Sequence, residues 1–456
     1  MTTLHSKAAC DFLKKHDNVT WHDATFWSLR DKRDAMAHGL EEWEQLRETA
    51  SAIKRHTATH LDKYLEQFAD NAEKNGAHVH WAKDAAEFNS IVLSILKEHN
   101  VTKLVKSKSM LTEECGMNDY LERQGGIDVV ETDLGERILQ LMHKRPSHIV
   151  VPATHITQEE VGRLFEEKLG SEKGNYDPTY LTYQARLSLR NEFKAAGAGM
   201  TGANFAVAET GDIVVCTNEG NADMSTSVPK LHIVAMGMEK VVPDYRSLSV
   251  FQRLLCRAAT GQPTTAFTSH FRRPRPGGEL HIVIVDNGRT DIIADQEHWE
   301  TLKCIRCGSC MNTCPVYRRS GGYSYTYFIP GPIGINLGML KDAVRYSDNV
   351  SACTLCCSCD NVCPVKVNLS EQIYRWRQGL DALGKADKMK KVLSTGMKYL
   401  FAHPALYNTA LKFAPLANHV PRAIMYNKLN AWGYAHEMPE FKKKPFHEII
   451  KEESRG

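Results

Sequence analysis

Cys304-Ile305-Arg306-Cys307-Gly308-Ser309-Cys310-Met311-Asn312-Thr313-Cys314-Pro315 has a near-copy in the same chain. Thirty-eight residues, 315 through 352, separate it from Cys353-Thr354-Leu355-Cys356-Cys357-Ser358-Cys359-Asp360-Asn361-Val362-Cys363-Pro364. Each stretch reads C-x2-C-x2-C-x3-C-P, the run that wraps [4Fe–4S] clusters. Three closely spaced thiolates take three iron corners of one cubane. The fourth, just before the proline, points away and ligates the other cluster. The spacing therefore assigns Cys304, Cys307, Cys310 and Cys363 to one cluster, and Cys353, Cys356, Cys359 and Cys314 to a second. Zinc favours paired CxxC or Cys/His ligands rather than four cysteines in one short run. Disulfides suit small secreted chains, and this one has 456 residues and no secretory leader. Cys357 gives the second run a fifth thiol, read as a bystander rather than a substitute ligand. Cys10, Cys115, Cys216 and Cys256 are scattered and read as ordinary packed thiols.

Outward from these runs, the length predicts two or three domains with sizeable cores. Apolar residues at 42% and charged residues at 24% place the chain among water-soluble globular proteins. A net charge of +3 gives no support for nucleic-acid binding. No segment approaches eighteen uninterrupted apolar residues, so no membrane-spanning helix is expected. Cluster cysteines must stay reduced. The expected location is the cytoplasm, with any contact to the inner membrane indirect, through partners.

Residues 1–75 carry a helical pattern: Leu40, Trp43, Leu46, Ala50, Ile53, Leu61, Leu65 and Phe68 recur at helical spacing. From 76 to 294 strand-like and helix-like runs alternate, which predicts an α/β domain on a parallel sheet. His78–Trp81, Lys103–Val105, Ile127–Glu131 and His148–Val151 read as strands; 84–99, 112–124, 134–143 and 157–168 read as helices. A hairpin is expected from Asn204–Ala208 and Ile213–Thr217. Leu231–Met236 and Leu280–Val285 complete the sheet, with a helix over 247–260 between them. Residues 295–380 form the cluster domain. Residues 381–456 form a helical tail with thirteen Lys/Arg against seven Asp/Glu, a basic face.

Within the α/β domain, Gly197 to Pro229 is rich in small residues, amides and carboxylates, as suits a pocket rim at strand carboxyl ends. Glu209 and Glu219 are the candidate catalytic carboxylates, suited to orienting a hydroxyl or taking its proton. Asn204, Asn218 and Asn221 are candidate hydrogen-bond donors to substrate. The competing reading gives the Asn and Gly residues to turns and the glutamates to solvent. Lys106 and Lys108 in Lys106-Ser107-Lys108-Ser109 follow a strand and precede a helix, a place for an anion or simply a solvated loop. Arg272, Arg273 and Arg275, broken by prolines, cannot form a helix. No GxGxxG, Walker A or flavin motif is present, so nucleotide binding of those kinds is unsupported.

Several segments resemble the lactate-utilisation (LUD) domain: Ile53-Lys54-Arg55-His56, Val105 to Met110, Glu131 to Glu136, Pro146 to Pro152, Thr201 to Phe205 and Thr217 to Asn221. Followed by two ferredoxin runs and a basic tail, the chain is similar to the lactate-utilisation protein B family over nearly its whole length. The resemblance implies a fold like the sugar-isomerase and CoA-transferase α/β group, then an α-helical two-cluster ferredoxin domain. It also implies a three-part bacterial system oxidising L-lactate to pyruvate. The implied partners are a cysteine-rich subunit with CCG-type domains and a small stand-alone LUD protein. It carries over no catalytic residues.

The leading expectation is an iron–sulfur electron-transfer subunit of such a complex. The two-electron site that hydroxy-acid oxidation needs is expected on a partner or in the α/β pocket with a further cofactor. Two alternatives stand beside it. In one, the α/β pocket itself oxidises the hydroxy acid. In the other, the chain is a cluster-bearing scaffold or redox sensor.

Overall fold

The computed structural model describes residues 4–14, 16–384, 388–426 and 439–454. Residues Met1–Gly379 form one compact unit and Leu380–Gly456 another.

Four helices open the first unit: α1 (Leu4–Leu13), α2 (His16–His38), α3 (Trp43–Thr59) and α4 (Leu61–Lys74). The main sheet is six-stranded and wholly parallel, in the order β1 (His78–Ala82), β10 (Glu279–Val285), β7 (Leu231–Gly237), β4 (Ala198–Gly202), β2 (Lys103–Lys106), β3 (Asp128–Glu131). Its strands alternate between two apolar layers, as the period of two requires. Leu231, Ile233 and Ala235 of β7 pack with Phe88, Val92 and Leu96 of the helix Ala85–Glu98. Val234 and Met236 face the other way, onto Leu61, Leu65 and Phe68 of α4. Both faces are covered, which is the usual condition of a parallel sheet.

Three expectations need correction. His148–Val151 is a turn, not a strand. The His148 ring explains why: Nδ1 accepts from the Val150 and Val151 N–H groups, each at 3.0 Å, and so takes the donors a ladder would use. The expected hairpin forms, as β5 (Phe205–Val207) against β6 (Asp212–Thr217), but outside the main sheet. It belongs to a second sheet with β8 (Val241–Val242) and β9 (Phe267–Phe271), in the order β8-β5-β6-β9. The helix over 112–124 is broken into Met110–Glu114, Met117–Tyr120 and a π turn at Leu121–Gly125, around the left-handed Gly116.

Strand β4 reads poorly as a strand because it is Ala-Gly-Met-Thr-Gly. A Cβ on Gly199 would meet the Ser225 carbonyl oxygen at 1.6 Å. Only glycine lets the helix Asn221–Ser227 approach this central strand so closely.

The helices α2 and α3 pack onto the cysteine segment. Arg33 Nη2 donates to the Val362 carbonyl at 3.1 Å, and Arg47 Nε to that of Cys363 at 2.9 Å. Buried Lys303 donates to Ser51 Oγ at 3.0 Å and to the Lys366 carbonyl at 2.9 Å. Buried Lys54 donates to the Glu239 carbonyl. The first sixty residues thus tie the sheet to the cysteine runs. The second unit contains the helices Lys388–Ala402, Pro404–Phe413, Arg422–Met425 and Phe446–Glu453. Among the described residues no helix is long and apolar enough to cross a membrane.

Candidate functional site

The two cysteine runs fold alike. In each, the residues two and four places after the first cysteine are left-handed: Arg306 (φ 62°) and Gly308 (φ 79°), then Leu355 (φ 54°) and Cys357 (φ 58°). Each then enters a short helix, Ser309–Thr313 or Ser358–Val362. Thr313 Oγ1 and Ser358 Oγ join these helices at 2.5 Å. Gly308 has a second reason to be glycine, since a Cβ there would lie 2.9 Å from His148 Cε1.

The thiols fall into two electrostatic sets. Burial first, then Cys363 and Cys304, push the Cys307 thiol up to about 12. Cys310 is raised by burial and then by Cys304, Cys307 and Cys363. Cys314 is pushed up to about 11 by burial, with Cys353 and Cys356 acting on it from the other run. Cys359 is raised by burial, Asp360, Cys310, Cys314 and Cys353, so it stands where the sets meet. Cys363 thus acts on Cys307 and Cys310 of the first run, and Cys353 and Cys356 of the second run act on Cys314.

The donor chemistry fits iron–sulfur clusters. One tetrahedral zinc with four sulfurs at about 2.3 Å needs sulfur–sulfur separations of about 3.8 Å. Among the described residues no three cysteine sulfurs lie within 4.8 Å of one another. The spacing suits a wider body than one ion. Main-chain N–H groups point at the sulfurs: Arg306 to Cys304 at 3.4 Å, Tyr317 to Cys314 at 3.5 Å, Leu355 to Cys353 at 3.3 Å and Val367 to Cys363 at 3.3 Å. Such bonds tune cluster potentials.

Cys357 occupies the place that Gly308 holds in the first run. A left-handed backbone costs a residue with a side chain roughly 1–2 kcal/mol. Cys357→Gly is therefore expected to keep the parent's iron and sulfide and to melt no lower than the parent. Loss of iron on analysis would instead make Cys357 a ligand.

A cavity of about 300 Å³ lies at the carboxyl ends of the parallel strands. Lys108, Asp133, Asn204, Asn218, Glu219 and Asn221 line it, together with Arg306, Cys307 and Ile329 of the cysteine segment. Five sequence candidates thus come together here. Glu209 and Lys106 do not. Glu209 is exposed at the β5–β6 turn, its N–H bonded to the Pro243 carbonyl at 3.0 Å. Lys106 is buried, with Nζ 2.6 Å from Glu131, 2.9 Å from Thr112 Oγ1 and 3.6 Å from Glu113. Burial opposes its charge, but Glu131, Glu113 and Glu136 outweigh that and hold it cationic.

Glu219 stands at the cavity rim, exposed on its outer side. Its carboxyl group is raised above the ordinary range, first by burial and then by the charge of Asp133, to which the protonated Glu219 donates a hydrogen bond, with Lys108 opposing. Asp133 uses Oδ1 to cap the helix Leu134–Leu141 through the Glu136 N–H at 3.1 Å; Oδ2 lies 3.8 Å from Lys108 Nζ. Lys108 also donates to the Val150 carbonyl at 2.7 Å. Two carboxyls and one ammonium form a site that holds a proton ready for exchange. The asparagines have internal work as well: the Asn204 and Asn218 carbonyl oxygens accept from the Cys216 and Ala266 N–H groups at 2.9 and 3.2 Å.

Sequence reasoning missed Asp133 and the cationic side of the cavity. Arg289, Lys240 and Arg306 all line it. Arg289 is fully engaged, at 2.5 Å from Glu239 and 3.0 Å from Glu114. Arg306 is different: its buried Nη1 has no hydrogen-bond partner. Lys240 is held below its usual range, first by burial, with Glu239 opposing and the nearby Arg306 adding to the shift. An anion entering here meets a cavity lined by both Arg306 and Lys240 and the Glu219–Asp133 pair.

Residues 65–293 match the LUD domain family, 300–367 the 4Fe-4S dicluster domain, and 379–455 the C-terminal domain of lactate utilisation protein B. The chain is 43% identical over 395 residues to Lactate utilization protein B of Geobacillus thermodenitrificans (strain NG80-2), covering 85% of this chain and 82% of that one. Lactate utilization protein B 1 of Bacillus mycoides (strain KBAB4) is 41% identical over 434 residues, covering 92% and 90%. The "Uncharacterized electron transport protein YkgF" of Escherichia coli (strain K12) is 40% identical over 420 residues, covering 90% and 88%.

Proposed function

The chain belongs to the lactate utilisation protein B family, and we propose that it is the iron–sulfur subunit of a complex that oxidises L-lactate to pyruvate. It carries two [4Fe–4S] clusters, on the cysteine sets given above. The complex further contains the cysteine-rich CCG-type subunit and the small stand-alone LUD protein.

One observation carries the reading beyond electron carriage alone. The Glu219–Asp133 pair and Cys307 line the same cavity. That favours oxidation of the hydroxy acid on this chain, against the cluster ligand. In the reaction one O–H and one C–H bond break and a C=O bond forms; the two electrons pass to the two clusters, one each, and the two protons to the paired carboxylates, the hydroxyl proton to Glu219 and the C–H proton to Asp133. Clusters, when bound, accept electrons one at a time.

The chain's own residues account for binding and proton handling. Arg306 offers a planar fork to the substrate carboxylate, and its unpartnered Nη1 gains a hydrogen bond by doing so. Lys240 adds a second positive charge. Glu219, once ionised, takes the hydroxyl proton, and Lys108 offsets the charge that Asp133 places beside it. Cavity-lining Leu255, Ala259 and Ile329 exclude water around the reacting carbon.

The test is anaerobic mixing of the cluster-loaded chain with L-lactate. Bleaching of the cluster absorption without partners, with one pyruvate per two electrons, is expected. Bleaching only when partner subunits are added would leave an electron carrier and move the oxidation site elsewhere. No bleaching in either case would reject the function.

A further inference from the structure

Strands β1 and β10 gather a second cluster of metal-ligating side chains at the amino end of the sheet, opposite the cavity. His78 and His80 lie on β1, and Glu279 and His281 on β10. His78 sits directly across from His281 in the parallel register. The ligand atoms of His78, Glu279 and His281 lie within 4.8 Å of one another. Neither the cysteine runs nor the cavity uses any of these side chains.

The surroundings of this trio point the same way. A ligating histidine ordinarily presents its other ring nitrogen to a polar partner, and ligating carboxylates are themselves hydrogen-bonded. His281 has Nε2 3.3 Å from Glu279 Oε2, while its Nδ1 lies 3.0 Å from His80 Nε2. Glu279 uses its other oxygen, Oε1, toward His99 Nε2 at 3.1 Å. Two of the three inner groups are therefore each buttressed by an outer histidine. The imidazoles of His78 and His281 stack with centroids 4.7 Å apart, and those of His80 and His281 at 5.3 Å. Stacking so many imidazoles together suits neutral rings, and neutral imidazole is the form that binds a cation.

We propose that His78, Glu279 and His281 bind a borderline divalent transition-metal ion of the zinc type, and that His80 and His99 orient His281 and Glu279. Two nitrogens and one carboxylate oxygen leave a position for water, a common three-ligand zinc arrangement. His78 comes from the edge strand and the other two ligands from its neighbour, so the ion bolts β1 to β10. Binding consequently stabilises the fold as the metal concentration rises above its dissociation constant.

The experiment uses tag-free, cluster-loaded chain, titrated anaerobically with zinc chloride and desalted. Zinc and iron are then counted by mass spectrometry. The expected result is about one zinc per chain with iron unchanged, and an X-ray absorption shell of nitrogen and oxygen at about 2.0–2.2 Å. Glu279→Gln, at an exposed position and with its fold checked by retained iron, and His78→Ala should abolish stoichiometric retention. His80→Ala should weaken zinc affinity by about 10- to 100-fold. Three results would overturn the proposal. One is parent protein that retains no zinc. Another is variants that retain as much zinc as the parent. The third is a sulfur shell at about 2.3 Å, which would place the ion on cysteines.

Discussion

Cys307→Ser protein, purified without oxygen, should carry about half of the parent's iron and should show no reduction by L-lactate. Serine oxygen is a poor substitute for a thiolate on iron, so the set of Cys304, Cys307, Cys310 and Cys363 loses its cluster. Cys307 is also the cluster cysteine that lines the cavity, beside Cys216 and Cys256. The informative comparison is Cys356→Ser. Cys356 is exposed and belongs to the other set. That variant should lose a similar amount of iron, yet its remaining cluster should still bleach with lactate. Iron and sulfide analysis, with electron paramagnetic resonance of the reduced proteins, reads both effects. Full iron in both variants would refute the ligand sets. Equal lactate reduction in both would refute the path from cavity to cluster.

Glu219→Gln should slow lactate-dependent bleaching by roughly 10²- to 10⁴-fold, the usual contribution of a positioned base. Glutamine keeps the shape and cannot take a proton. The pH profile is the sharper measurement. The Glu219 carboxyl is raised by burial and by Asp133, so it holds its proton to higher pH than an ordinary glutamate. A base works when ionised. The parent rate should accordingly climb with pH through that raised pKa, and the limb should vanish in Glu219→Gln. Asp133→Asn keeps the helix cap but removes the neighbouring negative charge. It should lower the Glu219 pKa and move the limb to lower pH. A parental rate and profile in Glu219→Gln would exclude Glu219 as the base.

The cysteine spacing was legible because a cubane imposes a repeat that little else requires. Strands β2, β3, β7 and β10 were legible because buried parallel strands are short runs rich in branched apolar residues, and the half-exposed edge strand β1 through its Val79 and Trp81. Strand β4 was hidden by Gly199, a residue chosen by the approach of Ser225 rather than by strand preference. The turn at His148 was hidden because an imidazole there replaces backbone partners. The site divides the same way. Glu219, Lys108 and the asparagines stood in a segment whose composition marked a rim. Asp133 caps the helix Leu134–Leu141, and its local sequence carries no sign of a second role. Arg306 was a spacer between two cysteines, and Lys240 an isolated charge after a strand. Their meaning comes from two distant stretches of chain closing on one cavity, and no local pattern reports that. Lys106 and Glu209 were plausible by type, but partners and exposure assign them elsewhere.

The helices α2 and α3 leave the ribosome long before the segments they clamp. Arg47 must wait 316 residues for Cys363. At about 5–20 residues per second that delay is roughly 15 to 60 s, far longer than a helix needs to form. Lys54 of α3 meets its Glu239 partner well before that, so the sheet side of the clamp closes while the cysteine side still waits. The cysteine runs are the later half of that clamp, and loading of iron and sulfide completes a fold that the sheet has begun.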